Sequence, residues 1–405
     1  MEILFVTSQP PLPIVSGGKK RIMEIAKHMV SEGHNVTLAT FYFTSGERDQ
    51  MLASSDSRIF TKIHSIRISP LSLILNALAL PFTNLPMQVV MFRCSEGRRL
   101  FSADGEIGTF DVAVFHLVRT GEYVMQVNAL RKVMEMTDSL ALNFQRRVVD
   151  QGHGLIGCLR NWLMRVEAAR LAKFEVDCLR KFDACVLVSE ADKLFVEQSA
   201  AVGLERSRLK VIPLGVNATL GGVIPDLLYC PPVLVFIGKM NYQPNVQAVL
   251  FFASQVLPLI ANAIPEVQLR IIGGDPVKQV QVLAEDPRVT VTGWVEDIRS
   301  ELSHACMSVA PMVSGTGMQT KILESMMFGL PVVTTPLGAA SLDFQHGQEI
   351  LVAEGAHALA LSIIGLLLDR PELKRLAHAG QVAVNRRYSS AEVMRNYTNI
   401  INGEL

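Results

Sequence analysis

A chain of 405 residues, 49% of them hydrophobic and 19% charged, is too long for one ordinary core and too apolar for a disordered or coiled-coil protein; two domains built on buried sheets are expected. Thirty-eight basic residues balance thirty-eight acidic ones, so no global field gathers nucleic acid or anionic lipid, and any such attraction must be local. The six cysteines, Cys94, Cys158, Cys178, Cys185, Cys230 and Cys306, show neither a CxxC pair nor zinc-like spacing and read as reduced, small hydrophobic residues in a cytoplasmic environment.

The first element is the strand EILFVTS, which carries none of the basic and cleavage-site features of a signal peptide. The loop QPPLPIVSGG follows, then apolar residues at helical spacing (Ile22, Ile25, Ala26, Met29, Val30), a stop at Gly33 and the strand HNVTLATFY. This is a βαβ unit. Ser16-Gly17-Gly18 stands where strand passes to helix, the place where open α/β sheets bind ligands. It is neither GxGxxG nor GxxxxGK[ST], so neither a dinucleotide nor a P-loop site is implied, and a plain turn accounts for it equally well. The uncharged stretch Leu71–Phe92 is interrupted by Pro81, Asn84 and Pro86. An ordinary buried region is the first expectation for it, with an interfacial or acceptor-side apolar surface second and a membrane span last.

IHSIRIS and FDVAVFHLV read as strands. His116 emerges at the end of the second, with Arg119 just beyond; a histidine there can exchange a proton and an arginine can grip phosphate, but a structural histidine is the commoner case. A helix spans about 156–183, ACVLVSE is a buried strand, ADKLFVEQSA a short helix, and LKVIPLGVN a strand running into a connection, 213–232, rich in Pro and Gly. The first domain therefore closes near 215.

A second cycle follows: PPVLVFIGKM, the helix NVQAVLFFASQVLPLIANA, then VQLRIIGG, RVTVTGWV, the helical DIRSELSHA, CMSVAPM, SGTGMQTKILESMMFG and LPVVTTPLG. Such alternation favours two open parallel sheets, although an eightfold barrel also alternates. Gly238 and Lys239, Gly273 and Gly274, and Gly338 all follow strands, so several small-residue loops can converge on one crevice. Gly315 and Gly317 bare amides ahead of a helix on which Lys321 and Glu324 share a side. That pattern suits a phosphate and a diol, or else an ordinary exposed pair on a buried helix. Trp294 is expected to anchor the core or a loop, with packing beneath a base as the alternative. Three helices end the chain, and Ser389 with Glu392 supplies a capping box for the last.

In order, PPLPIVSGGKKRIMEIAKHMVSEGHNVTL, VSEADK, VIPLGVN, VFIGKMNYQPNVQAVLFF, VQLRIIGG, VTVTGWVEDI and MQTKILESMMFGLPVVTTPLG resemble the GT-B-fold glycosyltransferases, in particular the GT4-like retaining group, over most of the chain. The resemblance implies an α/β chain of two facing Rossmann-like domains with open parallel sheets. Residues 1–215 would form an acceptor-side domain, 216–388 a nucleotide-sugar domain, and 389–405 a terminal helix crossing back to the first. It implies transfer of a hexosyl or N-acetylhexosaminyl unit, with retention, from a UDP- or GDP-sugar to a polysaccharide precursor, glycolipid or related carbohydrate or lipid-linked acceptor. No metal and no other cofactor is implied, nor a nucleic acid partner; peripheral contact with the inner face of the cell membrane is carried as an option.

For the site, the resemblance implies His116, Lys239 and Lys321 in catalysis. Gly17, Gly18, Gly238, Gly274, Thr316, Gly317, Met318 and Glu324 would bind the donor, Glu324 at the nucleotide ribose, and Arg119 would lie on the acceptor side. Two departures stand out. Thr316 occupies the first of two positions where the family has glutamates, and GKMNYQPN offers Lys239 where an arginine-lysine pair is common. The rival readings are a sugar-nucleotide-binding protein without catalysis and a nucleotide-sugar epimerase on the same fold.

Overall fold

The computed structural model describes residues 1–14, 16–102, 105–148, 155–200, 206–217, 231–315 and 317–404; most of the proposed connection between domains, residues 218–230, lies outside them. The chain divides into an N-terminal unit, Met1–Pro213 with Met394–Leu405, and a C-terminal unit, Leu214–Val393.

The N-terminal unit is built on seven strands: β1 (Glu2–Thr7), β2 (Asn35–Tyr42), β3 (Lys62–Arg67), β4 (Thr109–His116), β5 (Asn128–Thr137), β6 (Ala184–Leu187) and β7 (Leu209–Val211). They pair in parallel in the order β3-β2-β1-β4-β5-β6-β7. Ile3, Leu4, Phe5 and Val6 are wholly buried, as a central strand covered on both faces requires. The order reverses between β1 and β4, with Thr7 paired to His116, and the carboxyl ends of these two strands define the ligand crevice of such a sheet.

β5 escapes sequence alternation because Arg131, Lys132 and Glu135 interrupt it, yet Glu135 is buried. Its partner is Arg21, on the helix Gly17–Ser31. The guanidinium lies 3.4 Å from the Glu135 carboxylate, donates to the carbonyl oxygens of Pro213 at 2.7 Å and Ile212 at 3.0 Å, and sits 5.5 Å from the ring centroid of Tyr397. A buried carboxylate is tolerated only when paired and hydrogen-bonded.

The C-terminal unit repeats the plan with β8 (Val233–Ile237), β9 (Gln268–Ile272), β10 (Val289–Gly293), β11 (Met307–Ala310), β12 (Val332–Thr334) and β13 (Leu351–Val352). Their order is β10-β9-β8-β11-β12-β13, all parallel, with the reversal between β8 and β11. The helical stretch Gln243–Ala263, with mean hydropathy 1.6, is long and apolar enough to cross a membrane by composition, but Val246, Val249, Phe252, Val256 and Ile260 from it build this unit's core.

Entry to and exit from this unit run side by side: Val216 N–H donates to Tyr388 O at 2.8 Å and Ser390 N–H to Val216 O at 2.9 Å. A Cβ on Gly215 would come within 2.9 Å of the Ser390 Cα. Ser389 Oγ accepts from Glu392 N–H at 3.4 Å at the start of the last helix, Ser390–Asn402. Within the N-terminal unit the end of that helix is tied down by Arg131, which donates to Ile400 O at 2.8 Å, and by His28, 2.9 Å from Thr398 Oγ1.

Two sequence expectations are corrected. Within Leu71–Phe92, the helix Pro70–Ala79 has no buried residue, and Leu71, Ile74, Leu75, Leu78 and Phe82 are all exposed. Only Leu73, Leu85 and Met91 pack partly on the core, whereas Val89, Val90 and Phe92 are buried. Replacing Arg21 by Met would leave Glu135 buried without its cation, a loss of about 3–5 kcal/mol. Urea unfolding should show that loss, and Arg21→Met with Glu135→Gln should recover part of it; an unaltered midpoint in the single variant would show that the pair holds nothing.

Candidate functional site

Each unit brings its candidate residues to the reversal point of its own sheet. In the N-terminal unit, Ser16 precedes the helix Gly17–Ser31, its Oγ accepting from Lys19 N–H at 3.5 Å, so Gly17 and Gly18 occupy the first turn, where backbone N–H groups lack intrahelical acceptors. A Cβ added to Gly18 would stand 3.7 Å from the His116 ring. The glycine therefore lies against the imidazole.

His116 is buried and its Nε2 has no hydrogen-bond partner. Burial first, then the charges of Arg21 and Arg119, push the imidazole down to about 3. It is neutral near pH 7, with one ring nitrogen able to donate and the other to accept. One residue past the Thr7–His116 pairing, Ser8 Oγ is also buried and without a partner. Two buried polar atoms without partners thus lie at the ends of adjacent strands, where an added group could complete their hydrogen bonding. Sequence reasoning missed Ser8, because a serine following the strand Glu2–Thr7 carries no motif and only its burial without a partner singles it out. Arg119 is partly committed: its Nε donates to Gln88 Oε1 at 2.9 Å, its guanidinium lies 5.9 Å from the Phe92 centroid, and burial holds it below its ordinary value.

In the C-terminal unit, three strand-end loops are joined by backbone hydrogen bonds. Gly238 N–H donates to Ile272 O at 3.0 Å, Met240 N–H to Gly274 O at 2.9 Å, and Gly273 N–H to Gly293 O at 3.0 Å. Gly273 has φ +154, and a Cβ there would run into the Gly238 carbonyl oxygen, so only glycine lets these backbones touch. Gly238, Lys239 and Gly274 are thus brought together.

Behind them stands Lys321, near the start of the helix Thr320–Phe328. Its ammonium donates to Asn245 Oδ1 and lies 4.4 Å from the Phe236 ring centroid. Burial pulls it down to about 7, with the Glu324 carboxylate, one turn along the same helix, opposing. Asn245 in turn donates to Lys239 O at 2.9 Å. One amide thereby sets both the lysine and the Gly238 loop, and sequence reasoning passed it over because an asparagine inside an apolar helix carries no motif.

Gly315 (φ +112) packs on Pro244, and Gly317 (φ +81) leads into Met318, which rests on the core. Thr316 lies outside the described residues. Trp294 corrects the second expectation: it is 76% exposed, because β10 is the sheet edge and no further strand covers its end. Its Cβ lies 3.6 Å from where a Cβ of Gly274 would be, so an open indole stands beside the glycine loops. Among the described residues no three His, Cys, Asp or Glu side chains are grouped to hold a metal ion.

Residues 231–369 match the family model described as "Glycosyl transferases group 1". Among curated proteins, the chain is 27% identical over 202 residues to the phosphatidyl-myo-inositol mannosyltransferase of Mycobacterium leprae (strain TN), which covers 47% of this chain and 53% of that one. It is 21% identical over 168 residues, 40% of this chain and 43% of the relative, to an uncharacterized 44.6 kDa protein in the cps region of Klebsiella pneumoniae. The chain thus spans about half the length of the curated relatives it matches. Two solved structures share its fold: Anabaena HepE in complex with UDP (15% identity, TM-score 0.64, all of both chains), and the sucrose-phosphate synthase of Thermosynechococcus elongatus (16%, TM-score 0.68, 100% of this chain and 98% of that one).

Two measurements follow from this geometry. Gly293 has φ +71 with open space around it, so Gly293→Ala should cost only the left-handed strain of about 1–2 kcal/mol, whereas Gly273→Ala adds an overpacking cost of about 1–3 kcal/mol. Equal losses on unfolding would show that the Gly238–Gly273 approach constrains nothing. By histidine NMR, His116 should stay neutral as pH falls through the ordinary value of about 6.5 and titrate only near about 3.

Proposed function

We propose that the chain, whose residues 231–369 match the group 1 glycosyl transferase model and whose two open parallel sheets have the GT-B architecture, transfers a hexosyl or N-acetylhexosaminyl unit from a UDP- or GDP-sugar to a polysaccharide precursor, glycolipid or related acceptor. The observation that carries the proposal is the set of backbone-joined loops after β8, β9 and β10, with a half-buried lysine behind them and an exposed indole beside them. This set suits a nucleoside diphosphate. Amides of Gly274 and Gly317 with Lys239 and Lys321 serve the phosphates, Trp294 the base, and Glu324 the ribose hydroxyls.

In the reaction, the bond between the sugar C1 and the β-phosphate oxygen breaks, and the acceptor oxygen bonds to C1 on the face the phosphate leaves. The acceptor proton passes to the departing phosphate oxygen, so configuration is retained. The chain's own part is electrostatic: lysine charge and loop amides stabilise the diphosphate as it takes the electron pair. In the N-terminal unit, neutral His116, beside Gly18 and the orphan Ser8 hydroxyl, holds a sugar hydroxyl by a hydrogen bond rather than by charge.

The test is a panel of UDP- and GDP-sugars read by thermal stabilisation and calorimetry. Trp294→Ala should weaken binding by about tenfold or more, since stacking of a base on an aromatic ring contributes about 1–3 kcal/mol. An approaching phosphate raises the pKa of Lys321 from about 7. Binding above neutrality should therefore take up a proton, and affinity should fall as pH rises. Lys321→Met should abolish the proton uptake, measured in two buffers of different ionisation enthalpy. If no nucleotide sugar binds the folded protein, the donor reading fails; binding without product across carbohydrate and lipid-linked acceptors would favour a non-catalytic role. NMR of the product's anomeric centre reports retention.

A further inference from the structure

The apolar stretch that was expected to be buried instead forms an exposed face. Leu71, Ile74, Leu75, Leu78 and Phe82 recur at intervals of three and four and point away from the unit, Phe82 being 91% exposed. Leu73 packs on the core, and Asn76 on the opposite side donates to Arg93 O at 2.8 Å. No charged side chain occurs between Leu71 and Phe92.

A second element continues this surface. In the helix Leu155–Lys181, Leu159, Trp162 and Leu163 are exposed on one face. This helix is bonded to the first segment: Glu167 accepts from the N–H groups of Met87 and Gln88 at 2.9 and 3.0 Å, and Arg170 donates to Leu80 O at 3.4 Å. Between positions 157 and 173 the only acid is Glu167, which is buried and engaged in those bonds, whereas Arg160, Arg165 and Lys173 are exposed. The solvent-facing charge of this half-helix is entirely positive.

We propose that these two elements dock the protein on the surface of a lipid bilayer carrying anionic headgroups. Exposed Leu, Ile, Phe and Trp enter the boundary between headgroups and acyl chains, and the arginines meet the phosphates. A protein partner would answer the apolar residues equally well, but the one-sided positive charge around Trp162 favours an anionic surface. The face lies on the bilayer rather than crossing it, because the apolar helical stretch Pro70–Phe82 is well short of the ~20 residues a span takes. The neutral whole-chain balance is no obstacle, since charge attracts lipid only within a Debye length, about 8–10 Å.

The experiment is flotation of the full chain with vesicles of phosphatidylcholine alone and of phosphatidylcholine mixed with phosphatidylglycerol. The protein should float with the mixed vesicles and much less with the neutral ones, and added salt should release part of it. Leu75→Asp and, on the other element, Trp162→Ala should each lower the bound fraction severalfold while thermal unfolding and nucleotide binding stay as in the parent; either variant serves if the other fails to fold. Failure of the parent to float with mixed vesicles overturns the proposal, as does equal flotation with neutral ones or by both folded variants. A stable dimer in solution that Leu75→Asp dissociates would assign the face to a second copy and overturn it too. None of these readouts depends on sugar transfer.

Discussion

The guanidinium of Arg21 is buried in the N-terminal unit against the Glu135 carboxylate, the carbonyl oxygens of Ile212 and Pro213, and the ring of Tyr397. Arg21 stands on the first helix, and its partners come from three other parts of the chain: β5, the last residues before the C-terminal unit, and the returning terminal helix. Burying a charge costs several kcal/mol unless it is paired and hydrogen-bonded, so loss of the carboxylate or of the two carbonyl contacts would leave the guanidinium poorly compensated. The same charge also helps keep His116 neutral. One residue thus joins the parts of this unit and adds to the burial that already keeps the imidazole at its strand ends uncharged.

The C-terminal unit meets the opposite requirement with glycine. Its strand-end loops approach so closely that backbone carbonyl meets backbone Cα, which leaves amides near a ligand and no room for side chains. Precision is supplied from behind by Asn245, which joins the Gly238 loop to Lys321. Reversal of strand order in both sheets places each set of residues at an equivalent position, although the two units use different chemistry there.

Glycines after strands, His116 at the end of an apolar run, and the Lys321–Glu324 spacing were legible in the sequence because local pattern specifies them. β5 was not, since its charged residues break the alternation and only the distant Arg21 explains why Glu135 is buried. Asn245 and Ser8 were invisible for the same reason: their roles arise from partners, or from the lack of them, at the end of another element. Trp294 and Leu71–Phe92 misled in the other direction. Hydropathy predicts that apolar side chains are covered, but it does not reveal that β10 is an edge or that the helix Pro70–Ala79 sits outside its unit.

The depressed basicity of Lys321 bears on which anions the C-terminal strand ends would favour. An ammonium held near half-protonation at neutral pH is a weaker trap for small anions than a fully charged, water-facing lysine. A small anion that met this side chain alone would gain little from a charge only partly present. A ligand that also engages the indole and the loop amides can draw the missing proton. Under the proposed donor reading, the charge would be completed by the ligand it serves, a route to selectivity separate from shape.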